Sequence, residues 1–480
     1  MDGGRKNAVV WFRQDLRLAD NPALWGALKA GAPIVAVYVL DDDAADGWAF
    51  GGAHRWWLHR SLSALAHRLA GKGAPLVLRK GRAEVVLAHL ARDVGAAEVH
   101  AGLLCDPWGR RQERRVADAL QRVGARLHLH RSATLFDPDM IRTNSSGVYG
   151  VYTPFARACR AYGDLPLPRP APPRIPTALP PDSDRLEDWR LLPAKPDWSG
   201  GLQAAWEPGE MAARHRLKDF LAHDLGSYDE RRDYPGVTGT SLLSPYLHWG
   251  ELSPLTVWNA VLRTDPASAG CQAFLRELLW REFSLYLLWH HPHLPGAPLR
   301  PEFGGMKWRD DQAALHAWQR GRTGIPIVDA GMRQLWSSGW MHNRVRMIVA
   351  SFLVKHLLIP WQNGAAWFWD TLVDGDLANN SVNWQWVAGC GADAAPFFRI
   401  FNPVLQGRKF DHDGGYVRRW IPELSGLGAA HIHAPWEAPG ATLRQAKVQL
   451  GKDYPWPLVD LAKGRARALD AYRAVARSRP

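Results

Sequence analysis

Cysteine is scarce in this chain. Cys105, Cys159, Cys271 and Cys390 stand far apart, without a CxxC pair or any metal-ligand spacing. That pattern excludes a disulfide scaffold and an iron–sulfur cluster, and it fits reduced thiols in a cytosolic compartment. Long apolar runs are missing too: no stretch reaches the roughly 18 residues that a membrane-spanning helix needs. Met1–Asn7 has no signal-peptide profile, so the expectation is a soluble, cytoplasmic protein without a membrane partner. No GxGxxG or GxxxxGKS/T follows the first apolar run, which removes a dinucleotide or triphosphate loop. The runs His290-His291-Pro292-His293 and His431-Ile432-His433 have no accompanying acid or cysteine pattern, so no metal site is expected. Internal repeats and a long polar tail are absent.

Tryptophan, by contrast, is abundant: 25 residues, 17 of them after Ala205. Each alone is an ordinary core residue, but their clustering asks for a further reason. The formal charge of +12 makes a polyanion such as nucleic acid a natural partner, although basic surfaces also serve solubility. A length of 480 residues exceeds one ordinary core, so two domains are expected.

Residues 1–131 alternate short apolar runs with amphipathic stretches. Strands are expected at Ala8–Phe12, Pro33–Leu40, Leu76–Leu78, Glu98–Gly102 and Arg126–His130, with helices between them, which describes a doubly wound α/β domain with a parallel sheet. Its ligand crevice lies at the carboxyl ends of the strands, where Arg13, Asp41 and Asp106 fall. Periodicity fades over 132–205, and ten prolines between Asp164 and Pro196 mark an interdomain linker. Residues 206–480 read as an all-α domain, with helical spacing over Glu210–His223, Pro254–Leu262, Cys271–Trp289, Gln312–Gln319, Ile327–Ser337, Arg344–His356, Gly364–Leu372 and Leu458–Ala476.

Three groups within 206–480 can carry chemistry. Tyr228 and Arg232 precede Gly239-Thr240-Ser241-Leu242-Leu243-Ser244-Pro245, hydroxyls at a helix start that suit either a plain cap or a bound phosphate. Glu277, Trp280 and Arg281 share a helix face, as a core indole beside a surface ion pair or as groups that stack on and hydrogen-bond a nucleotide. The third lies in Gly339-Trp340-Met341-His342-Asn343-Arg344-Val345-Arg346-Met347 and in Asp374-Gly375-Asp376-Leu377-Ala378-Asn379-Asn380-Ser381-Val382-Asn383-Trp384-Gln385-Trp386. The second of these packs two acids, several amides and two tryptophans into thirteen residues, too polar for an ordinary helix core and too aromatic for an ordinary solvated loop. Asp374-Gly375-Asp376 taken alone is as compatible with a solvated turn, and it lacks the other ligands of a calcium loop.

Together with Pro396-Phe397-Phe398-Arg399-Ile400-Phe401-Asn402-Pro403, these stretches make the block from about Trp308 to Asp411 closely resemble the photolyase/cryptochrome flavoproteins, and the resemblance extends more loosely over nearly the whole chain. It implies FAD, held by Tyr228, Thr240, Ser241, Leu242, Leu243, Ser244, Phe274, Arg281, Arg346, Asp374, Gly375, Asp376 and Asn380, with Arg346 pairing with Asp374. Phe274 departs from the tryptophan of the best-known bacterial member. Asn380 matches the residue facing the reactive ring nitrogen of the flavin, where plant-type cryptochromes usually carry an acid. Trp384, Trp361 and Trp308 match the tryptophans that pass an electron from the surface to the flavin.

By the same resemblance Glu277, Asn343 and Asn380 act in catalysis, and Glu277, Trp280, Asn343, Met347 and Trp386 line the lesion pocket. Arg232, Arg344, Arg399 and Lys409 match positions near the DNA backbone. Relatives that repair the pyrimidine (6-4) photoproduct carry a histidine where Met347 stands, so the implied lesion is the cyclobutane pyrimidine dimer. A second, antenna chromophore of folate or deazaflavin type is implied for the α/β domain, although Asp106-Pro107-Trp108-Gly109-Arg110-Arg111 does not reproduce the Asn-Glu pair of the best-known folate site. The expectation is a monomeric, light-driven repair enzyme acting on UV-damaged DNA, most like the bacterial class III branch close to plant cryptochromes. A blue-light photoreceptor using the same FAD and tryptophans without repair is the alternative.

Overall fold

The computed structural model describes residues 7–45, 47–393 and 399–477, so the stretch Pro396-Phe397-Phe398 lies outside the described residues. The chain forms two units, one of Met1–Gly226, Ser241–Pro292 and Val373–Ala378, the other of Ser227–Thr240, His293–Leu372 and Asn379–Pro480.

In the first unit, β1 (Asn7–Phe12), α1 (Pro22–Lys29), β2 (Ile34–Leu40), α2 (Gly52–Ala70), β3 (Leu76–Lys80), α3 (Ala83–Asp93), β4 (Ala96–Gly102), α4 (Pro107–Arg122) and β5 (Arg126–His130) follow one another. The strands form one parallel sheet of order β3-β2-β1-β4-β5. β2 is apolar at every position and buried throughout, as a parallel strand covered on both faces must be. Val9, Trp11, Val35, Val37 and Val99 on one face pack against Leu87 and Leu90 of α3 and Val116 and Leu120 of α4. α1 covers the other face, where a Cβ on Gly26 would stand 2.5 Å from the His130 ring; only glycine permits that approach.

Asn21 caps α1 through Leu24 N, with Pro22 at its first turn, and Asp106 caps α4 through Gly109 N at 2.6 Å. Asp106 is thereby spent on its own helix, and burial raises its carboxyl to about 6. The loop after β1 is held by Arg17, which is 2% exposed and donates to Asp20 O, Gly250 O at 2.8 Å and Ser132 Oγ.

The stretch expected to lack regular structure contains α5 (Tyr152–Ala161), whose buried Tyr152, Phe155, Ala156 and Cys159 follow helical spacing. A further long helix of this unit is α6 (Ala269–His290), with Ser268 at its cap and apolar residues on most sides. Its buried Glu282 accepts from Phe136 N at 2.9 Å.

The second unit is helical and includes α7 (Asn343–Ser351), which continues as a π-helical turn Phe352–Leu357, and α8 (Trp361–Thr371). α9 (Leu377–Ala388) follows and enters this unit at Asn379. Helical spacing alone did not predict α9, because its Asn379-Asn380-Ser381 opening favours caps and turns in isolation. Tertiary bonds carry it: Gln385, 0% exposed, donates to Leu294 O and Ala297 O and accepts from Leu299 N, and Lys355 donates to Ala388 O.

Within the first unit Glu251 is fully buried and accepts from Trp57 Nε1 at 3.2 Å. Burial raises its carboxyl from the ordinary value to about 8. The folded state therefore keeps a proton that the unfolded chain releases near the usual carboxylate pKa, so this group costs stability as pH rises from that value through about 8. Glu251→Gln removes the cost. Its gain in unfolding free energy over wild type, from urea titrations, should grow between about pH 5 and about pH 8 by up to roughly 1.4 kcal/mol per pH unit. A gain that is the same at both pH values would show that Glu251 does not titrate in this way.

Candidate functional site

The candidate cofactor residues fall in both units. In the first, Ser244 donates its hydroxyl to Asp374 Oδ2 at 2.6 Å, and Trp249 Nε1 donates to Val373 O at 3.1 Å, so segments 241–249 and 373–376 are bound to each other. His248 Nδ1 stands 4.0 Å from Asp376 Oδ2. Asp374 is 7% exposed, and the buried Gly375 lets the chain turn back, with Asp376 N reaching Asp374 O at 2.7 Å. Leu242 adopts a φ of +54°, a left-handed conformation that costs a leucine free energy and marks the hydroxyl-rich segment Ser241–Ser244 as constrained by its surroundings. Leu243 N donates to Ser241 Oγ at 3.3 Å.

Arg281 does not form a surface pair with Glu277. Its guanidinium donates to Ala133 O at 2.8 Å and to Leu247 O at 3.4 Å. Phe274 is buried against Phe220, centroids 4.7 Å apart. Glu277 keeps 29% of its side chain exposed. Trp280, one turn further along α6, is half-buried.

In the second unit α9 lies on α8 at two successive residues. Asn380 donates its amide NH2 to Ala365 O at 2.9 Å, and a Cβ on Gly364 would meet the Trp384 ring at 2.1 Å. The Asn380 amide oxygen is thereby turned away from Ala365 and free to face an N–H donor. Ser381 Oγ and Trp384 Nε1 are buried with no hydrogen-bond partner among the described residues. Trp384 and Trp361 are each 2% exposed and sit in one apolar core, while Trp308 and Trp386 are half-buried against it. The three tryptophans thus run from buried to partly accessible.

Tyr228 is buried and carries Arg232 over its ring at 5.4 Å; Thr240 is half-buried. Asn343 is exposed at the start of α7, whose cap His342 accepts from Arg344 N. Burial lowers the His342 imidazole to about 4, so it is neutral at physiological pH. Arg344 donates to Asp233 at 2.7 Å, touches Met347 Sδ and lies 4.4 Å over Phe410. Arg346 donates to Met341 O at 2.7 Å. Lys409 and Arg399 are exposed.

A separate cleft opens in the first unit at the carboxyl ends of β1 and β2. Trp11, Tyr38, Trp48 and Trp108 line it with Arg13, Asp41 and Gln112. Arg13 stacks on Trp11 at 4.4 Å and donates to Gly102 O and Gln112, and Gln112 donates to Asp41 at 2.8 Å. Arg13 and Asp41 line it at the carboxyl ends of their strands, as expected, whereas Asp106 does not; in sequence nothing distinguishes Gln112 and Trp48.

Two family models match the chain: DNA photolyase over residues 8–173 and the FAD binding domain of DNA photolyase over residues 274–474. The deoxyribodipyrimidine photo-lyase of Agrobacterium fabrum is 50% identical over 471 residues, covering 97% of this chain and 98% of that protein. Cryptochrome-1 of Arabidopsis thaliana is 36% identical, covering 97% of this chain and 70% of that protein. A crystal structure of a bacterial class III photolyase from Agrobacterium tumefaciens superposes with a TM-score of 0.95 at 48% identity, covering 98% of each chain.

The seat of Trp384 on α8 yields a sign test. Gly→Ala inside a helix normally gains up to about 1 kcal/mol. At Gly364 the added methyl collides with the Trp384 ring, so Gly364→Ala should instead lose roughly 1–3 kcal/mol in urea unfolding. A stabilised variant would mean that the indole does not occupy this place.

Proposed function

This chain belongs to the photolyase/cryptochrome family, and from that premise we propose that it is a light-driven DNA repair enzyme that splits cyclobutane pyrimidine dimers with FAD as its cofactor. The observation that carries this is Asn380, buried and fixed by its bond to Ala365 O, with its amide oxygen available to accept from a ring N–H without adding charge. When bound, the reduced flavin would supply, under light, the electron that opens the cyclobutane ring and would take it back once the ring is open, so the difficult chemistry is the cofactor's own.

The residues of the chain bind, orient and exclude water. Ser244 holds the Asp374 carboxylate in one orientation by its hydroxyl. Thr240, Ser241 and Tyr228 act with it toward the pyrophosphate, and Arg346 and Asp376 toward the rest of the cofactor. Trp384, Trp361 and Trp308 carry an electron inward from the accessible indole, a direction supported by the partial exposure of Trp308 beside the burial of Trp361 and Trp384. Trp280 and Trp386 stack on the pyrimidines once the dimer has left the helix, a step made easier because the lesion is already poorly paired. Glu277 and Asn343 hydrogen-bond the lesion and stabilise the charge it carries while its ring opens. Met347 offers no group for the proton transfer that (6-4) chemistry needs. Arg232, Arg344, Arg399 and Lys409 meet phosphates, so binding weakens as salt rises. In the first unit the cleft of Trp11, Tyr38, Trp48 and Trp108 supports a planar antenna pigment of folate or deazaflavin type.

Two measurements test this. Chemically reduced, flavin-loaded protein should restore thymine absorbance from dimer-containing duplex DNA in blue light and not in darkness, and Glu277→Ala should slow that repair by about tenfold or more. If the protein takes up FAD yet leaves the dimer intact in light, the photoreceptor alternative replaces repair. Trp384→Phe should abolish light-driven reduction of the oxidised flavin while chemically reduced protein still repairs; retained photoreduction would remove Trp384 from the electron path.

A further inference from the structure

Tyr152 and Trp280 lie face to face, ring centroids 3.7 Å apart and planes within 7°. This is tighter than the roughly 4.5–7 Å at which aromatic pairs usually meet. Tyr152 opens α5 and is 7% exposed; its hydroxyl donates to Arg276 O at 2.9 Å, one turn ahead of Trp280 on α6. The stacking ring is therefore pinned at its far end to the helix that carries its partner. Phe283 meets Trp280 edge-on at 6.0 Å and Tyr152 edge-on at 6.0 Å, closing the cluster from below. Burial, and then the Glu277 carboxylate, raise the Tyr152 phenol well above its usual range, so it stays a neutral donor under all physiological conditions.

We propose that Tyr152 is a positioning residue for lesion recognition: by clamping one face of Trp280 it leaves the opposite face of the indole as the surface offered to a flipped pyrimidine. The proposal rests on the assignment of Trp280 and Glu277 to the lesion pocket. A lone half-buried tryptophan would lose rotamer freedom each time a base stacked on it, and a clamped one has lost that freedom already. The clamp also removes one of the two faces a base could choose. Stacking is thereby confined to the orientation set by α6, the helix that also presents Glu277 one turn before Trp280. A base arriving there extends an existing two-ring stack.

The test uses flavin-loaded, full-length protein and duplex DNA with or without one thymine dimer. Tyr152→Leu keeps apolar volume but removes the ring, and Tyr152→Phe keeps the ring but removes the bond to Arg276 O. The leucine variant should raise Kd and KM for dimer DNA up to about tenfold, the scale of one base–aromatic stack, because Trp280 is no longer held for stacking, with kcat, flavin content and affinity for undamaged DNA unchanged. The phenylalanine variant should stay within about threefold of wild type, since one neutral hydrogen bond is worth little net. Should the leucine variant not fold, Tyr152→Met fills the same space and gives the same reading. Unchanged discrimination between damaged and undamaged DNA in the leucine or methionine variant overturns the proposal, as does an equal loss of affinity for both DNAs. If wild-type protein itself does not discriminate, the lesion-pocket assignment has failed instead, a result visible before any variant is made.

Discussion

An indole can lie directly on a helix only where no Cβ stands in its way, and at residue 364 none does. This constraint fixes the part of the second unit from which the candidate chemistry follows. Trp384 occupies the space above Gly364, and one residue on, Ala365 O holds Asn380 by its amide. α9 is thus locked to α8 both by shape and by a directional bond. Its other sides are tied as firmly, through Gln385 to three backbone groups between 294 and 299 and through Lys355 to Ala388 O. A helix held in this way fixes Asn380, Trp384 and Trp386 at set angles relative to α8.

A similar economy recurs at several buried charged side chains, which end on the main chain of nearby loops. Arg17 ends on Asp20 O and Gly250 O, Arg281 on Ala133 O and Leu247 O, Glu282 on Phe136 N, and Asp329 on Thr323 N and Gly324 N. A buried charge must find partners, and the main chain of a nearby loop needs partners as well. Each pairing satisfies both requirements and pins a segment without regular structure. Arg281 in this way ties two stretches of the first unit, 132–136 and 241–249, to α6. Positions that look ligand-directed in sequence thus also act as structural ties.

Much of the architecture was legible in advance because apolar periodicity survives any packing arrangement. The five strands fall within a residue or two of their expected places, and the expected helices within about three. α5 and α9 were not legible. Tyr152, Phe155 and Cys159 are too few to stand out among prolines downstream, and the Asn-Asn-Ser opening of α9 favours turns until Gln385 and Trp384 find their seats. Within the site, the hydroxyls at Ser241 and Ser244, the acids at Asp374 and Asp376, and the tryptophans were visible as residue types at telling spacings. Their bonds were not, since Ser244 and Asp374 are 130 residues apart in sequence.

The sequence alone determined the alternation of strands and helices in residues 1–131, the helical character of the chain after it, and the inventory of acids, amides and indoles, because these depend on local spacing and composition. Tertiary structure alone decided that Asp106 caps a helix, that Arg281 binds main chain, that Asn380 points its carbonyl away from α8, and that Tyr152 covers Trp280. Each of these is a choice among several partners that one side chain could satisfy. Only the packing of distant segments removes all but one of them.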